Sequence, residues 1–238
     1  LINSDFIQMD AASVSHIIDK GGTVLYTARS REFMHEEGRA QALTTCKLLG
    51  LDGIVAIGGD GTFRGALGLS RQAAAQGEQL RVVGIPATID NDIGCSNYTI
   101  GFDTACNTAI ECIDKLRDTM QSHERCSVVE VMGHRAGHLA LTVGVACGAT
   151  AVIVPEHPVD YEADLLEPIR RARLAGRTHF MIIVAEGVEG GAYSIGKVIE
   201  EATALDTRVT VLGHIQRGGS PSVSYTHLRA HETGAYLV

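Results

Sequence analysis

The sequence lacks several features that mark particular classes of protein. It contains no tryptophan, and its six cysteines form neither a CxxC pair nor a metal-ligand spacing, so a zinc site built on cysteines is disfavoured. The first ten residues have no basic stretch followed by a long apolar core, which excludes a recognisable secretory signal. We expect buried, reduced thiols and a cytoplasmic protein. The cysteines are Cys46, Cys95, Cys106, Cys112, Cys126 and Cys147.

Positive charge and long apolar runs are also scarce. Twenty Lys and Arg stand against 28 Asp and Glu, a net charge of −8, which disfavours a general nucleic-acid partner. The longest uncharged run, 139–154, contains Gly144 and Gly148 and is too short for a membrane span. We interpret it as a buried helix leading into a buried strand. The 45% hydrophobic content and interspersed charges predict a folded chain of one or two domains.

Seven short runs rich in β-branched residues predict strands. They are continuous rather than alternating, as expected for strands buried on both faces of a parallel sheet. Helical spacing is clearest over 103–121, where apolar residues recur on one stripe. Strands alternating with helices predict an α/β fold with a doubly wound, mostly parallel sheet. The runs are TVLY (23–26), IVAI (54–57), RVVGI (81–85), SVVEV (127–131), AVIV (151–154), FMIIVA (180–185) and RVTVL (208–212).

A glycine-rich segment, 58–62 (GGDGT), follows the IVAI run and precedes a helix predicted to open near Phe63. In sheets of this kind, ligands bind beyond the carboxyl ends of the strands. Glycines there let a polyphosphate approach backbone N–H groups at a helix start. Asp60 suits such a site if a divalent cation lies between it and the phosphate. The alternative is a plain strand-to-helix turn with Asp60 as the N-cap.

A second polar segment, 84–92 (GIPATIDND), also ends an apolar strand. Asp90 and Asp92 are two residues apart, with Thr88 and Asn91 beside them. One carboxylate can hold a metal while the other accepts the proton of an attacking hydroxyl, as phosphoryl transfer requires. The alternative is a side-chain-stabilised turn with solvated aspartates. The position after a strand favours function.

A third strand end carries basic groups. The run at 208–212 continues into GHIQRGGSP, which brings His214, Arg217 and two glycines together. Imidazole and guanidinium groups of this kind grip a phosphate monoester by charge-assisted hydrogen bonds. The segment therefore predicts anion binding.

Seven strings together resemble the 6-phosphofructokinase family: GGDGT, PATIDND, YTIGFDTA, KLRDT, SHER, VVEVMG and TRVTVLGHIQRGGSP, in this order. TIDND and GHIQRGGSP are the most specific of them. The resemblance implies two Rossmann-like, doubly wound, mostly parallel-sheet subdomains with the active site in the cleft between them. It implies a nucleotide and Mg²⁺ subdomain over 1–101, a fructose 6-phosphate subdomain over 102–214, and a return segment over 215–238 that departs from the family pattern after Pro221.

The resemblance also implies a reaction, the transfer of a phosphoryl group from ATP to the 1-hydroxyl of fructose 6-phosphate, with Mg²⁺, in glycolysis. The resemblance implies that Asp90 is the general base, assisted by Thr88 and Arg29. It also implies that Asp60 and Asp92 are the carboxylates that bind the metal. The nucleotide contacts are Gly59, Asp60, Gly61, Thr62 and Arg29. The sugar-phosphate contacts are Thr88, Asp90, Arg125, Met132, Gly133, Glu186, Arg208, His214 and Arg217.

Oligomerisation follows from the same resemblance. Family members use arginines at the positions of Arg125 and Arg208 to reach the neighbouring subunit's site, which implies a homo-oligomer, usually a tetramer. Arg117 and Arg177 match basic positions at an effector-binding interface, so allosteric control is expected. Exposed arginines are otherwise usually solvated.

The chain departs from the family at several positions. Pyrophosphate users have Asp where this chain has Gly61 and Lys where it has Ala87, so ATP is the favoured donor and pyrophosphate the alternative. After Met132-Gly133 the family generally has Arg, often followed by His, whereas this chain has His134 followed by Arg135. If these two residues are in an extended conformation, their side chains point to opposite faces. Family members begin with a further strand and glycine loop and end in long helices, so a truncated, inactive fragment or a non-catalytic sugar-phosphate-binding regulatory subunit is the other alternative.

Overall fold

The computed structural model describes residues 1–226. The predicted return segment beyond Thr226 lies outside the described residues. The described helices are α1 (Glu36–Leu49), α2 (Asp60–Ala75), α3 (Phe102–Gln121), α4 (His138–Ala146), α5 (Glu167–Leu174) and α6 (Gly191–Thr203), with a π-helix at Tyr161–Leu166 and 3₁₀ turns at Glu32–Met34 and Gly213–Arg217. The described strands are β1 (Gly53–Gly58), β2 (Arg81–Pro86), β3 (Cys126–Val131), β4 (Ala151–Ile153), β5 (Phe180–Ala185) and β6 (Thr207–Val211).

The chain divides into two compact units. The first contains Leu1–Thr88 and Asp92–Ser96, and the second contains Ile89–Asn91 and the chain from Asn97 onward. The polypeptide therefore passes between the units three times within ten residues, around the TIDND segment. The subdomain boundaries at 101 and 214 stay predictions.

Four parallel strands form the sheet of the second unit, in the order β4-β5-β3-β6. Val131 of β3 pairs with Ala185 of β5, and Glu130 pairs with Val211 of β6. The carboxyl ends of β3, β5 and β6 therefore lie at one edge of the sheet. Every residue of β5 is buried, because this strand has neighbours on both sides and is covered on both faces. The parallel pairing confirms the predicted α/β class.

Helix α3 covers this sheet with the stripe that the sequence pattern predicts. Ala105, Ala109 and Ile113 are all fully buried, because residues four apart lie on one helix face. The opposite face carries an exposed pair, with Lys115 Nζ 2.8 Å from Glu111 Oε1. The predicted helix over 103–121 is confirmed.

The first unit is smaller. Strands β1 and β2 pair in parallel from Gly53 opposite Arg81 to Gly58 opposite Pro86. Helices α1 and α2 pack together through a small buried cluster, Ala42, Leu43, Leu69 and Ala73. A side chain at Gly84 would place its Cβ 2.9 Å from Phe63 Cε1. Glycine at this position therefore lets α2 lie close against β2.

The strand predicted at 23–26 is wrong: within the described chain, residues 1–31 contain no strand. Val24 is 40% and Tyr26 is 84% exposed, and Tyr26 has a φ of +57°. A β-branched run forms a strand only where a sheet edge pairs with it and its side chains become buried. Neither condition is met at this segment.

The run at 139–154 forms α4 and β4, as predicted, but the helix is buried on one side only. Leu139, Ala140 and Val143 are fully buried, whereas Leu141 is 55% and Val145 is 72% exposed. Within residues 1–226, no helix combines the length and the apolar character needed to cross a bilayer.

Candidate active site

The glycine-rich segment of the first unit forms a tight strand-to-helix junction. Helix α2 begins at Asp60 rather than near Phe63, and Gly59 occupies the N-cap without a side-chain cap. The alternative role of Asp60 as an N-cap is therefore wrong, because its carboxylate is already inside the first turn. At Gly58, a Cβ would lie 2.4 Å from Thr62 Oγ1, so glycine is required for the close approach of Thr62.

Asp60 and Gly61 both face open space at this junction. The Asp60 side chain is 56% exposed and its Oδ2 lies 2.8 Å from Arg64 Nε, one turn along α2. A Cβ at Gly61 would meet nothing within 4 Å. The start of α2 thus presents backbone N–H groups and a carboxylate with room beside them, which suits a phosphate bound together with a cation.

Thr88 lies against the same junction. The backbone N–H of Ala87 donates to Gly58 O at 2.9 Å, which extends the β1–β2 pairing beyond the strands. A Cβ at Gly59 would be 3.4 Å from Thr88 Cβ. The structure therefore brings Thr88 together with the glycine segment. Arg29 is exposed in the irregular chain before α1.

The carboxylates of Asp60 and Asp92 are donors of the kind that Mg²⁺ prefers in proteins. Asp60 and Asp92 belong to the first unit and both are exposed. Within residues 1–226, no three His, Cys, Asp or Glu side chains form a group that could hold a metal. Mg²⁺ at phosphoryl-transfer sites takes one or two carboxylates, with phosphate oxygens and water completing its shell. An exposed carboxylate in the first turn of a helix meets that requirement.

Asp90 belongs to the second unit and sits in a turn, half-buried. Asn91 follows it with a φ of +53°. The Oδ1 atom of Asn91 accepts a hydrogen bond from Thr99 Oγ1 at 3.1 Å, and Thr99 is fully buried. The turn that carries Asp90 is thereby tied to the chain just before α3.

The sheet edge of the second unit brings Met132, Gly133 and Glu186 together. Met132 and Glu186 directly follow the paired residues Val131 and Ala185. Glu186 Oε1 accepts a hydrogen bond from the backbone N–H of His134 at 2.6 Å, so the carboxylate lies over the 133–136 turn. Met132, Gly133 and Glu186, which are predicted to line the sugar pocket, therefore lie next to one another at the ends of β3 and β5.

His134 and Arg135 lie in a turn, and the extended stretch considered for them is wrong. Gly133 and His134 have φ values of +137° and +55°, and the N–H of Ala136 donates to Gly133 O at 2.9 Å. Both side chains are exposed. A Cβ at Gly187 would lie 2.5 Å from His134 O, so the turn is pressed against the chain that follows β5.

His214 and Arg217 occupy the 3₁₀ turn that follows β6, at the same sheet edge, and both are exposed. Between them, Gln216 is 1% exposed. Its Oε1 accepts from the Met132 N–H at 3.3 Å, and its Nε2 donates to Gly213 O at 3.0 Å. Sequence reasoning missed this residue, because nothing in the local pattern marks a glutamine as buried.

Arg125 and Arg208 lie at the opposite, amino edge of the sheet. Arg125 precedes β3, and Arg208 is near the start of β6. Both contact one carboxylate: Asp206 lies 2.5 Å from Arg125 Nε and 3.1 Å from Arg208 Nη2. The hydrogen bond from Arg125 is the main cause that lowers the pKa of Asp206. Asp206 forms ion pairs with both arginines, a role that the sequence analysis did not predict.

The length of β3 separates these arginines from the other sugar-phosphate residues. Met132 lies seven positions after Arg125, about 20 Å at the usual rise of a strand. The structure therefore does not bring Arg125 and Arg208 together with His214 and Arg217 within this unit.

The two arginines expected at an effector interface share a small cavity of about 40 Å³ at the amino edge. Arg117, Arg177 and His179 line it. Arg117 also donates to Cys147 O and lies 3.5 Å from Asp114 Oδ1. The effector role of the two arginines stays a prediction.

Comparison with known proteins agrees with the motifs. The family model "Phosphofructokinase" matches residues 1–238. The ATP-dependent 6-phosphofructokinase 1 of Clostridium perfringens is 52% identical over 222 residues, which are 93% of this chain and 67% of that protein.

Solved structures give the same result. Phosphofructokinase from Saccharomyces cerevisiae superposes with a TM-score of 0.85 at 36% identity over 94% of this chain, and Pichia pastoris phosphofructokinase with 0.86 at 34% over 94%. The chain spans 33% and 26% of the length of those two proteins. Both the fold and the family expected from the motifs are confirmed. The chain belongs to the phosphofructokinase family.

Proposed function

We propose that this chain transfers the γ-phosphoryl group of ATP to the 1-hydroxyl of fructose 6-phosphate, giving fructose 1,6-bisphosphate in glycolysis. The observation that carries the proposal is the sheet edge of the second unit. There Met132, Glu186 and the His214–Arg217 turn come together from three strands. This edge combines hydroxyl-binding and phosphate-binding groups, as a sugar phosphate requires.

Asp90 acts as the general base. A sugar hydroxyl is a poor nucleophile, and a carboxylate that removes its proton in the transition state raises the rate by roughly 10²–10⁴. Thr88 contacts the transferring phosphoryl group, and its proximity to Gly59 supports this role. Arg29 lends positive charge to the phosphates.

The first unit binds the donor through Gly59, Asp60, Gly61 and Thr62. The N–H groups at the start of α2 hold phosphate oxygens. Asp60 and Asp92 hold Mg²⁺, which, when bound, neutralises charge on the donor phosphates. The exposed position of Asp60 supports this role because its carboxylate is accessible to a metal ion and a nucleotide.

The 6-phosphate is held by His214 and Arg217 of one subunit and by Arg125 and Arg208 of a neighbour. The separation along β3, about 20 Å by strand rise, supports this division, since one subunit cannot present both groups to one phosphate. The active protein is therefore a homo-oligomer, which we take to be a tetramer, and fructose 6-phosphate sites are shared between its subunits.

ATP is the proposed donor. The space beside Gly61 supports it: a Cβ there would meet nothing within 4 Å, and a carboxylate at this position would place negative charge near the nucleotide's α-phosphate. Ala87 carries no ammonium group to hold pyrophosphate. The protein acts in the cytoplasm, and the six free thiols support a reducing compartment.

A coupled assay tests the proposal. The 238-residue chain is supplied with fructose 6-phosphate and Mg²⁺, with either ATP or pyrophosphate as the donor. Turnover with ATP alone is expected. Turnover only with pyrophosphate supports the donor alternative, and fructose 6-phosphate binding without turnover by either donor supports the regulatory-subunit alternative.

A further inference from the structure

Thr99 is a fully buried polar residue that bonds to the turn carrying the proposed base. Its hydroxyl donates to Asn91 Oδ1 at 3.1 Å across eight residues of chain. A buried hydroxyl loses solvation that its hydrogen bonds must replace. This hydrogen bond links the turn that carries Asp90 to the interior of the second unit.

Thr99 is itself well anchored. The N–H of Phe102, the first residue of α3, donates to Thr99 O at 3.3 Å. Phe102 is 6% exposed and packs in the main core, and its ring meets the Tyr98 ring edge-on at a centroid distance of 5.6 Å. The backbone of Thr99 is thus anchored to the start of a twenty-residue helix.

Asn91 needs such support because of its backbone. A φ of +53° lies in the left-handed region, which residues other than glycine adopt at a cost and which asparagine tolerates best. This single residue sets the angle between the peptide groups on either side of it. Rotation at Asn91 would therefore redirect Asp90 relative to Asp92.

We propose that Thr99 is a positioning residue: its hydroxyl holds the Asn91 side chain and so maintains the left-handed turn that aims the Asp90 carboxylate. The inference rests on the proposed function, in which Asp90 is the base. Misplacement of a reacting group by about 1 Å costs on the order of 10²-fold in rate. Loss of the Thr99 hydroxyl should therefore act on the chemical step rather than on substrate affinity.

Two substitutions at Thr99 test this. Thr99→Val keeps the shape of the side chain and removes the donor, and we expect kcat to fall by roughly tenfold or more with the KM for fructose 6-phosphate nearly unchanged. Thr99→Ser keeps the hydroxyl and should restore kcat. Thr45→Val is the matched control: Thr45 is 4% exposed and donates to Gln41 O within α1. It should lower the melting temperature and leave kcat unchanged.

Substitutions at Asn91 separate the backbone from the side chain. Asn91→Gly keeps access to positive φ, whereas Asn91→Ala loses both the acceptor and the left-handed preference and should reduce kcat more. In an Asn91→Gly background, Thr99→Val should have little further effect, because the two residues act through one bond. Additive losses would overturn the inference, as would an equal loss of kcat in Thr99→Ser and Thr99→Val.

A measurement that does not depend on turnover separates the positioning role of Thr99 from the proposed function. The carboxyl ¹³C resonance of Asp90 and the N–H to Hα coupling of Asn91 are measured by NMR in each variant. Thr99→Val should change both, and Thr99→Ser should change neither. If the unsubstituted chain has no turnover with either donor, the proposed function fails, and these spectra alone decide the positioning role. Unchanged spectra in Thr99→Val would overturn it.

Discussion

The side-chain carbonyl of Gln216 accepts a hydrogen bond from the backbone N–H of Met132 at 3.3 Å. The amide nitrogen of the same side chain donates to Gly213 O at 3.0 Å. One buried glutamine therefore joins the end of β3 to the turn that presents His214 and Arg217. The position of this turn relative to the end of β3 is therefore fixed in part by two hydrogen bonds of one side chain.

Substitution of Gln216 should weaken substrate binding. Gln216→Met has a similar volume but removes both hydrogen bonds, so the turn that carries His214 and Arg217, the proposed phosphate ligands, loses its link to β3. We expect the KM for fructose 6-phosphate to rise roughly tenfold, as expected for about 1.4 kcal/mol, while kcat changes little. Steady-state kinetics with ATP as the donor measure this split. Ser222→Ala, another buried polar position, is the control and should affect stability alone; a fall in kcat at constant KM in Gln216→Met would contradict the prediction.

Removal of the proposed base should affect turnover rather than affinity. Asp90→Ser deletes the carboxylate, and we expect kcat to fall by roughly 10²–10⁴, with the KM for fructose 6-phosphate nearly unchanged since other residues bind the sugar. Asp118→Ser, on an exposed face of α3, is the matched control. A raised KM at normal kcat in Asp90→Ser would show that the base has been assigned to the wrong residue.

The Asp206 cluster should contribute stability that depends on pH. Its pKa is lowered from the ordinary 3.8, mainly by the Arg125 hydrogen bond. Because the folded pKa is the lower one, the contribution is present above the unfolded value and is lost as the pH falls through the folded value. Asp206→Asn should remove it, so the difference in unfolding free energy from the unsubstituted chain should be largest near neutral pH and disappear in acid. Because the ion pairs are exposed to solvent, the difference in unfolding free energy should be small. A difference that increases as the pH falls would contradict the prediction.

The cysteines should differ sharply in reactivity. Burial raises the pKa of Cys106 and of Cys126 to about 12, whereas Cys95 is exposed. In the folded protein at about pH 8, a thiol reagent should modify Cys95 and spare the two buried thiols, since the thiolate is the reactive form.

Mass spectrometry of labelled peptides locates the modification, and unfolded protein provides the reference in which all six react. The raised pKa values also predict a fall in unfolding free energy above about pH 9, where only the unfolded thiols ionise. Rapid native labelling of Cys126 would contradict both expectations.

Local patterns predicted the regular elements well where one segment carries its own signal. The stripe of α3 and the continuous apolar run of β5 each follow from residues close in sequence, and both are confirmed. The TVLY run shows the limit: its composition suits a strand, but pairing depends on a neighbour that local sequence does not reveal. The helix start at Asp60 differs from the prediction by three residues, since a glycine can occupy the N-cap without a side-chain bond.

The amino-acid sequence by itself determined the family, the α/β class and the residue types that follow each strand, because these depend on short strings and on the period of apolar residues. Only the tertiary structure decided that Arg125 and Arg208 meet at Asp206 on the amino edge while Met132, Glu186 and His214 share the carboxyl edge. It also decided that Thr99 and Gln216 are buried beside the turns that carry Asp90 and His214. Strand order and burial arise from contacts between segments far apart in the chain, which no local pattern contains.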